Sequence, residues 1–184
     1  MFQVRSLLFY QHEPSSSSEW FKREGVFLCE KIRRHGVSAV VIITGEAVSA
    51  DEYLAFTEFF KGQGFRVRRM HVERLNSEAP AAMKKIVCEI AGTVAESTLC
   101  LIVSYGKSHA LMVIACYLIY SGDSPSSAIR NIKNHIPSFP FNADNAVFLY
   151  AFSRYLHESY TAERGGGDTP FHLSDCPERI VPSS

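Results

Sequence analysis

The sequence predicts an α/β domain built on a central, largely parallel sheet of four or five strands flanked by helices. Three observations lead to this fold class. Runs rich in β-branched residues alternate with stretches whose apolar residues recur at helical spacing. Two of these runs, 38–44 and 99–103, are almost continuously apolar, which is typical of parallel strands buried on both faces. With 184 residues, 46% of them hydrophobic, the chain can bury one core without disulfide bonds.

In the first half of the chain, glycines mark the ends of the predicted elements. Gly36 follows a mixed apolar and basic stretch, and Gly62 and Gly64 follow a strongly helical one. The polar N-terminal segment contains four consecutive serines and is expected to be irregular as far as about Trp20. In order, we then expect a covering segment over 20–34, a strand over 38–44, a helix over 51–61 and an alternating strand over 65–72.

In the second half of the chain, a very apolar helix follows the second buried strand. It has no polar face, which predicts burial on all sides, and Gly122 ends it. Ser124 is the predicted N-cap of the next helix and Pro125 is its first residue. In order, we expect a helix over 80–96, a strand over 99–103, and helices over 109–121, 124–135 and 142–158.

The charge, cysteine and histidine content exclude several classes of protein. Nineteen basic residues balance nineteen acidic ones, whereas a dedicated nucleic-acid binder or a polybasic membrane anchor carries a basic excess. The five cysteines form no C-x-x-C pair and the seven histidines lack metal-site spacing, so we expect no disulfide framework, metal or cofactor. The N-terminus lacks a secretion signal, and the longest apolar stretch is too short to span a bilayer. We therefore expect an intracellular, cytoplasmic protein without membrane insertion.

The segment best placed to bind a ligand joins the second buried strand to the apolar helix. In parallel sheets, ligands bind at the carboxyl ends of strands and against helix N-termini, and this segment lies at both. It is expected to be a short polar turn that could hold an anion. A nucleotide-binding P-loop is excluded because its first glycine would fall on Leu101. The segment consists of Val103, Ser104, Tyr105, Gly106, Lys107, Ser108 and His109.

Four stretches of the chain share their order and spacing with one known family. They are 35–44 (HGVSAVVIIT), 112–119 (MVIACYLI), 122–137 (GDSPSSAIRNIKNHIP) and 142–152 (NADNAVFLYAF). In this order they resemble a strand, the helix after the active-site loop, the next helix and the closing helix of the dual-specificity protein phosphatases, which are cysteine-based protein tyrosine phosphatases. The resemblance covers roughly residues 25–158 and implies a dual-specificity-phosphatase-like fold.

The resemblance also implies where the catalytic residues of the family would fall. Family members carry His-Cys-x-x-Gly-x-x-Arg-Ser/Thr, in which the cysteine thiolate attacks phosphorus and the arginine grips two phosphoryl oxygens. Counting back from 115–117 places the cysteine on Val103 and the arginine on His109, while the glycine is retained as Gly106. None of the five cysteines has an arginine six residues later. The segment therefore keeps the residue that shapes the loop and lacks the two that perform the chemistry.

The general acid of the family is missing from its expected position as well. Family members place an aspartate in the loop that follows the strand equivalent to 65–72. At that position this chain has Arg74 or Asn76. Three catalytic functions are therefore absent together.

We interpret the chain as a pseudophosphatase with three parts: an N-terminal lead-in over 1–24, a dual-specificity-phosphatase-like domain over 25–160 and a flexible or docking tail over 161–184. The predicted function is a noncatalytic protein-interaction or scaffolding module, with a protein or a multi-protein assembly as its partner. Two alternatives remain open. One is a reader of phosphorylated residues or other anions that uses 103–109, and the other is a residual protein phosphatase with an altered mechanism.

Overall fold

A computed structural model of the chain describes residues 2–4, 7–12, 21–44, 50–72, 79–96, 99–105, 107–137 and 141–164. Strands and helices alternate along most of this part of the chain. A π-helical turn, Phe21–Gly25, leads into the first helix. The elements are β1 (Phe2–Val4), β2 (Leu7–His12), α1 (Val26–Arg34), β3 (Val37–Thr44), α2 (Ala50–Gly62), β4 (Arg66–His71), α3 (Ala79–Ala95), β5 (Leu99–Tyr105), α4 (Lys107–Tyr120), α5 (Pro125–His135) and α6 (Ala143–Arg164).

The described strands form one sheet in the order β1-β2-β5-β3-β4. Strands β2, β5, β3 and β4 run parallel to one another, and β1 is antiparallel to β2. β5 therefore lies in the middle of the sheet and β4 lies at one edge. The predicted α/β class, the largely parallel sheet and the central position of the second buried strand are confirmed.

The alternation of side chains along β3 divides the apolar residues between two cores. Ala39, Val41 and Ile43 belong to the core that contains residues of α3, α4, α5 and α6. Val40 and Ile42 belong to the core on the opposite face, beneath α1 and α2. Since β3 is buried on both faces, nearly every position along it is apolar.

Helix α4 lies at the centre of the larger core. Every side chain from Ala110 to Tyr120 is buried, and the helix contacts α3, α5 and α6 as well as β3 and β5. The prediction of a helix buried on all sides is confirmed. Its C-terminus is closed by Gly122, whose φ of 99° lies in the left-handed region that glycine adopts readily. The backbone N–H of Asp123 donates to the carbonyl of Leu118 at 2.9 Å, as in a Schellman motif.

Helix α5 begins as the sequence predicts. Ser124 is its N-cap, and the backbone N–H of Ser127 donates to the Ser124 side-chain oxygen at 3.2 Å. Pro125 occupies the first turn, where its missing N–H leaves no helical hydrogen bond unmade.

Two predictions made at the ends of the chain are wrong. The N-terminal segment is not irregular at 2–4 and 7–12, because β2 pairs along its whole length with β5. Helix α6 continues through 161–164, past the predicted start of the tail, and the Thr161 hydroxyl donates to the carbonyl of His157. Residues 165–184, which make up the rest of the predicted tail, lie outside the described residues.

Candidate functional site

The candidate site lies at the carboxyl ends of the four parallel strands. The last residues of these strands are His12, Thr44, His71 and Tyr105. The segments 13–20, 45–49 and 73–78, which follow three of them, are outside the described residues, and so is Gly106, which follows the fourth. The described part of the site therefore consists of the strand ends, the first turn of α4 and the residues packed beside them.

The backbone of the predicted 103–109 turn belongs almost entirely to regular structure. Ser104 and Tyr105 extend β5, and α4 begins at Lys107. The prediction of a polar turn over 104–108 is therefore wrong at its boundaries. The physical reason lies in the neighbouring strand, since β2 runs on to His12, which pairs with Tyr105 and prolongs the ladder.

The strand pairing determines what the backbone at this junction can bind. Val103 lies opposite Tyr10 on one side and Ile42 on the other, and Ser104 lies opposite Gln11 and Ile43. In a parallel ladder, successive residues bond alternately to the two neighbouring strands, so the amides of these residues are used within the sheet. The first turn of α4 then supplies the backbone N–H groups that have no partner within a helix.

The predicted site residues fall into two groups. Val103, Ser104 and Tyr105 end β5, and Lys107, Ser108 and His109 begin α4, so the structure brings these six together at one junction. Arg74 and Asn76, predicted in place of the general acid, lie outside the described residues. The strand that leads to them, β4, is described. Just after it, the Val72 N–H donates to the carbonyl of Thr44 at 2.9 Å, so the chain still pairs with β3 at Val72.

A polar cluster at the ends of β3 and β4 is a feature that the sequence analysis missed. The buried Thr44 hydroxyl lies 3.4 Å from Nδ1 of the exposed His71 and is also hydrogen-bonded to Tyr53 of α2. The guanidinium carbon of Arg69 lies 5.1 Å from the centre of the Tyr53 ring. Burial raises the pKa of the Tyr53 hydroxyl, while Arg69 and the hydrogen bond with Thr44 act in the opposite direction. The signal in the sequence was a polar residue at the end of one predicted strand, Thr44, and another beside the end of the next, His71.

The described thiols are placed as core residues. Burial raises the pKa of the Cys29 thiol to about 11, against the opposing effect of Arg33. Burial also raises the pKa of Cys116, which lies within α4, well above its ordinary value. Cys88 is partly buried, with its sulfur 3.6 Å from the hydroxyl of Tyr120. A nucleophilic cysteine needs the opposite shift, toward the thiolate.

Neither a metal centre nor a membrane span is found where the structure is described. Within those ranges, no three His, Cys, Asp or Glu side chains are grouped so that they could hold a metal ion. Among the described helices, none is both long and apolar enough to cross a bilayer.

Comparison with solved structures identifies the fold. The active form of Tk-PTP matches with a TM-score of 0.57 and 18% identity, covering 81% of this chain and 92% of that one. Human DUSP28 matches with a TM-score of 0.58 and 18% identity, covering 85% and 96%. PTPMT1 in complex with PI(5)P matches with a TM-score of 0.55 and 17% identity, covering 78% and 88%. No protein-family model and no curated protein matches the sequence. The chain thus has the fold of the dual-specificity and protein tyrosine phosphatases.

Proposed function

We propose that this phosphatase-fold domain is noncatalytic and acts as a protein-interaction or scaffolding module, either with one protein partner or within a larger assembly. The resemblance aligns Val103 of β5 and His109 of α4 with the nucleophile and the phosphate-binding arginine of a cysteine phosphatase. This chain has other residues at both positions. What it retains is the scaffold and its surface.

The single observation that carries the proposal is the identity of Val103, which lies within the central strand β5. By the resemblance Val103 aligns with the nucleophile, and it pairs with β2 and β3 on its two sides. A valine has no nucleophilic atom. Ser104, one residue further along, would offer a hydroxyl, which lacks the acidity of an activated thiol.

The remaining positions of the signature support the same interpretation. His109 replaces the arginine whose planar fork would hold two phosphoryl oxygens, and an imidazole has no such fork. Arg74 or Asn76 replaces the general-acid aspartate, and neither carries a proton that it could donate readily near neutral pH. Residues that act as a unit in catalysis fail as a unit when they are lost.

The same observations weaken the alternative of an anion reader at 103–109. Such a reader needs several backbone or cationic donors that converge on one point. The backbone of Val103 and Ser104 pairs on both sides within the sheet, which leaves the first-turn amides of α4, Lys107 and His109 as donors, with no arginine fork. A protein-interaction role draws on the exposed surface instead, where Phe27 is 67% exposed and Val147 is 68% exposed.

We place the protein in a reducing, intracellular compartment, with the cytoplasm as the expected location. The support is the cysteine content, since Cys29, Cys88 and Cys116 form no disulfide bond within the described part of the chain.

The test of the proposed function is the hydrolysis of para-nitrophenyl phosphate and of a phosphotyrosine peptide by the full chain. Ser104→Ala and His109→Ala serve as matched variants, because each removes one side chain that could support an altered mechanism. We expect no rate above the buffer blank for any of the three proteins. A rate that survives repurification and is lost in either variant would overturn the proposal.

A further inference from the structure

Among the described strands, β4 lies at an edge of the sheet, and it is unusually basic. It pairs with β3 on one side and is the last strand in the sheet order. Four of its six residues are arginine or histidine, and all four are exposed: Arg66, Arg68, Arg69 and His71. The whole chain, in contrast, has a formal net charge of zero. The basic residues of this edge are therefore a local concentration of charge.

The outer side of β4 offers backbone hydrogen-bonding groups. In a parallel strand, the N–H and C=O of one residue point to one side, and those of the next residue point to the other. The Val72 N–H donates to Thr44 of β3, so the backbone groups of Met70 and Arg68 point toward β3 as well. By the same alternation, the backbone groups of Val67, Arg69 and His71 point away from the sheet.

The basic side chains stand on both faces of this edge. Met70 belongs to the larger core, so Arg66 and Arg68 lie on the face covered by α3. The side chain of Arg66 is held there by Glu96, with Nη1 2.7 Å from Oε2. On the other face, Arg69 lies against the ring of Tyr53. On one face of the sheet, the side chains of an added strand would lie beside Arg68. On the other face, they would lie beside Arg69 and His71.

We infer that the outer edge of β4 binds an extended, acidic segment of a partner protein as an additional strand. This inference rests on the proposed function as an interaction module and names its partner chemistry. Charged residues on an edge strand prevent pairing between two copies of the same edge, because like charges meet. The same charges favour a strand of opposite sign, so the arginines select an acidic partner while they exclude a second copy.

The nature of the charges favours a peptide over a nucleic acid. Arginine forks match carboxylates with two parallel hydrogen bonds. The basic strip includes the carboxylate of Glu96 beside Arg66, and the chain has a net charge of zero, whereas a nucleic-acid-binding domain carries a basic excess.

The test is fluorescence anisotropy of a labelled peptide that alternates glutamate and threonine. We expect binding to the full chain that weakens as salt is added. The double variant Arg68→Glu/Arg69→Glu should weaken binding roughly tenfold or more. The control Arg130→Glu/Arg154→Glu makes the same charge change at exposed positions on α5 and α6 and should bind like the wild type. Thermal unfolding of both variants shows whether they remain folded.

A second arm separates strand addition from simple charge attraction. The same peptide, N-methylated at alternate residues, keeps its charges and loses the amides that would pair with β4. It should bind roughly tenfold more weakly. Equal binding of the two peptides, no binding to the wild type, or equal losses in both charge variants would overturn the inference. A single-stranded RNA of equal charge would also overturn the inference if it bound more tightly than the peptide and if Arg68→Glu/Arg69→Glu abolished its binding. The hydrolysis assay is independent of these measurements, so a failure of the proposed function would be seen separately.

Discussion

Val103 of β5 lies opposite Ile42 of β3 in a parallel ladder, and on its other side it lies opposite Tyr10 of β2. The resemblance aligns Val103 with the nucleophile of a cysteine phosphatase, and this residue lies in the central strand of the sheet. Ser104 continues the same pairing. The ladder therefore holds the backbone of Val103 and Ser104 on both sides.

Amide hydrogen exchange should show this pairing directly. We expect the amides of Val103 and Ser104 to exchange as slowly as those of Val40 and Ile42, because all four lie in central strands. The measurement is native-state exchange followed by NMR or by mass spectrometry of short peptides. The intrinsic exchange rate of the unfolded chain provides the fast reference. Exchange of Val103 and Ser104 at the fast reference rate would show an open loop in place of the strand.

A pair of neighbouring residues on α6 tests the packing of the larger core. The Leu149 side chain is fully buried, whereas Val147 is 68% exposed. Leu149→Ala should lower the free energy of unfolding by about 2–5 kcal/mol, because it leaves a cavity beside α4. Val147→Ala should change it by less than about 0.5 kcal/mol. Urea denaturation measures both, and similar losses in the two variants would mean that α6 packs with a different face.

The N-cap of α5 makes a smaller and more specific contribution. Ser124→Ala removes the oxygen that accepts the Ser127 N–H and should cost about 1 kcal/mol of stability. Ser126→Ala is the control, since the Ser126 side chain is exposed and its recorded contact is to the Ser124 hydroxyl, 3.1 Å away. It should cost less than about 0.5 kcal/mol. If thermal unfolding ranks the two variants in the opposite order, the cap assignment is wrong.

The end of α6 sets the boundary for the predicted tail. We expect limited proteolysis to remove 165–184 first, because three consecutive glycines follow Arg164. A chain ending at Arg164 should keep the melting temperature of the full chain while associating more weakly in its native assembly. A first cut inside α6, or a lower melting temperature, would contradict this boundary; normal association would contradict the docking role.

Local sequence pattern predicted the elements whose burial is uniform. β3 is buried on both faces and α4 on all sides, so each is a nearly unbroken apolar run that needs no knowledge of its neighbours. The N-cap at Ser124 was predictable for a similar reason, because a cap depends on residues within one turn.

The elements that were missed depend on partners far along the chain. β2 is short and precedes a serine run, and its pairing with β5 joins the first residues of the chain to the second half. The last residues of β5 looked like a turn because serine and glycine favour turns, yet the length of β2 extends the ladder through Tyr105. The cluster of Thr44, Tyr53 and His71 joins three separate elements, so spacing along the sequence did not show it.

If this phosphatase-fold domain is noncatalytic, none of its cysteines is an activated nucleophile, and site-resolved alkylation against pH is the direct test. Iodoacetamide reacts with the thiolate, and activated cysteines have pKa values of about 3.5–7.5. Burial raises the pKa of Cys29 to about 11 and also raises that of Cys116, so their thiolate fractions stay very small at neutral pH and rise only in strongly alkaline solution.

The chain unfolded in denaturant, where all five cysteines react as ordinary thiols, is the reference. We predict that no cysteine of the folded chain reacts faster than in this reference at pH 6. Rapid alkylation of one cysteine at pH 6, slowed by inorganic phosphate, would contradict the account.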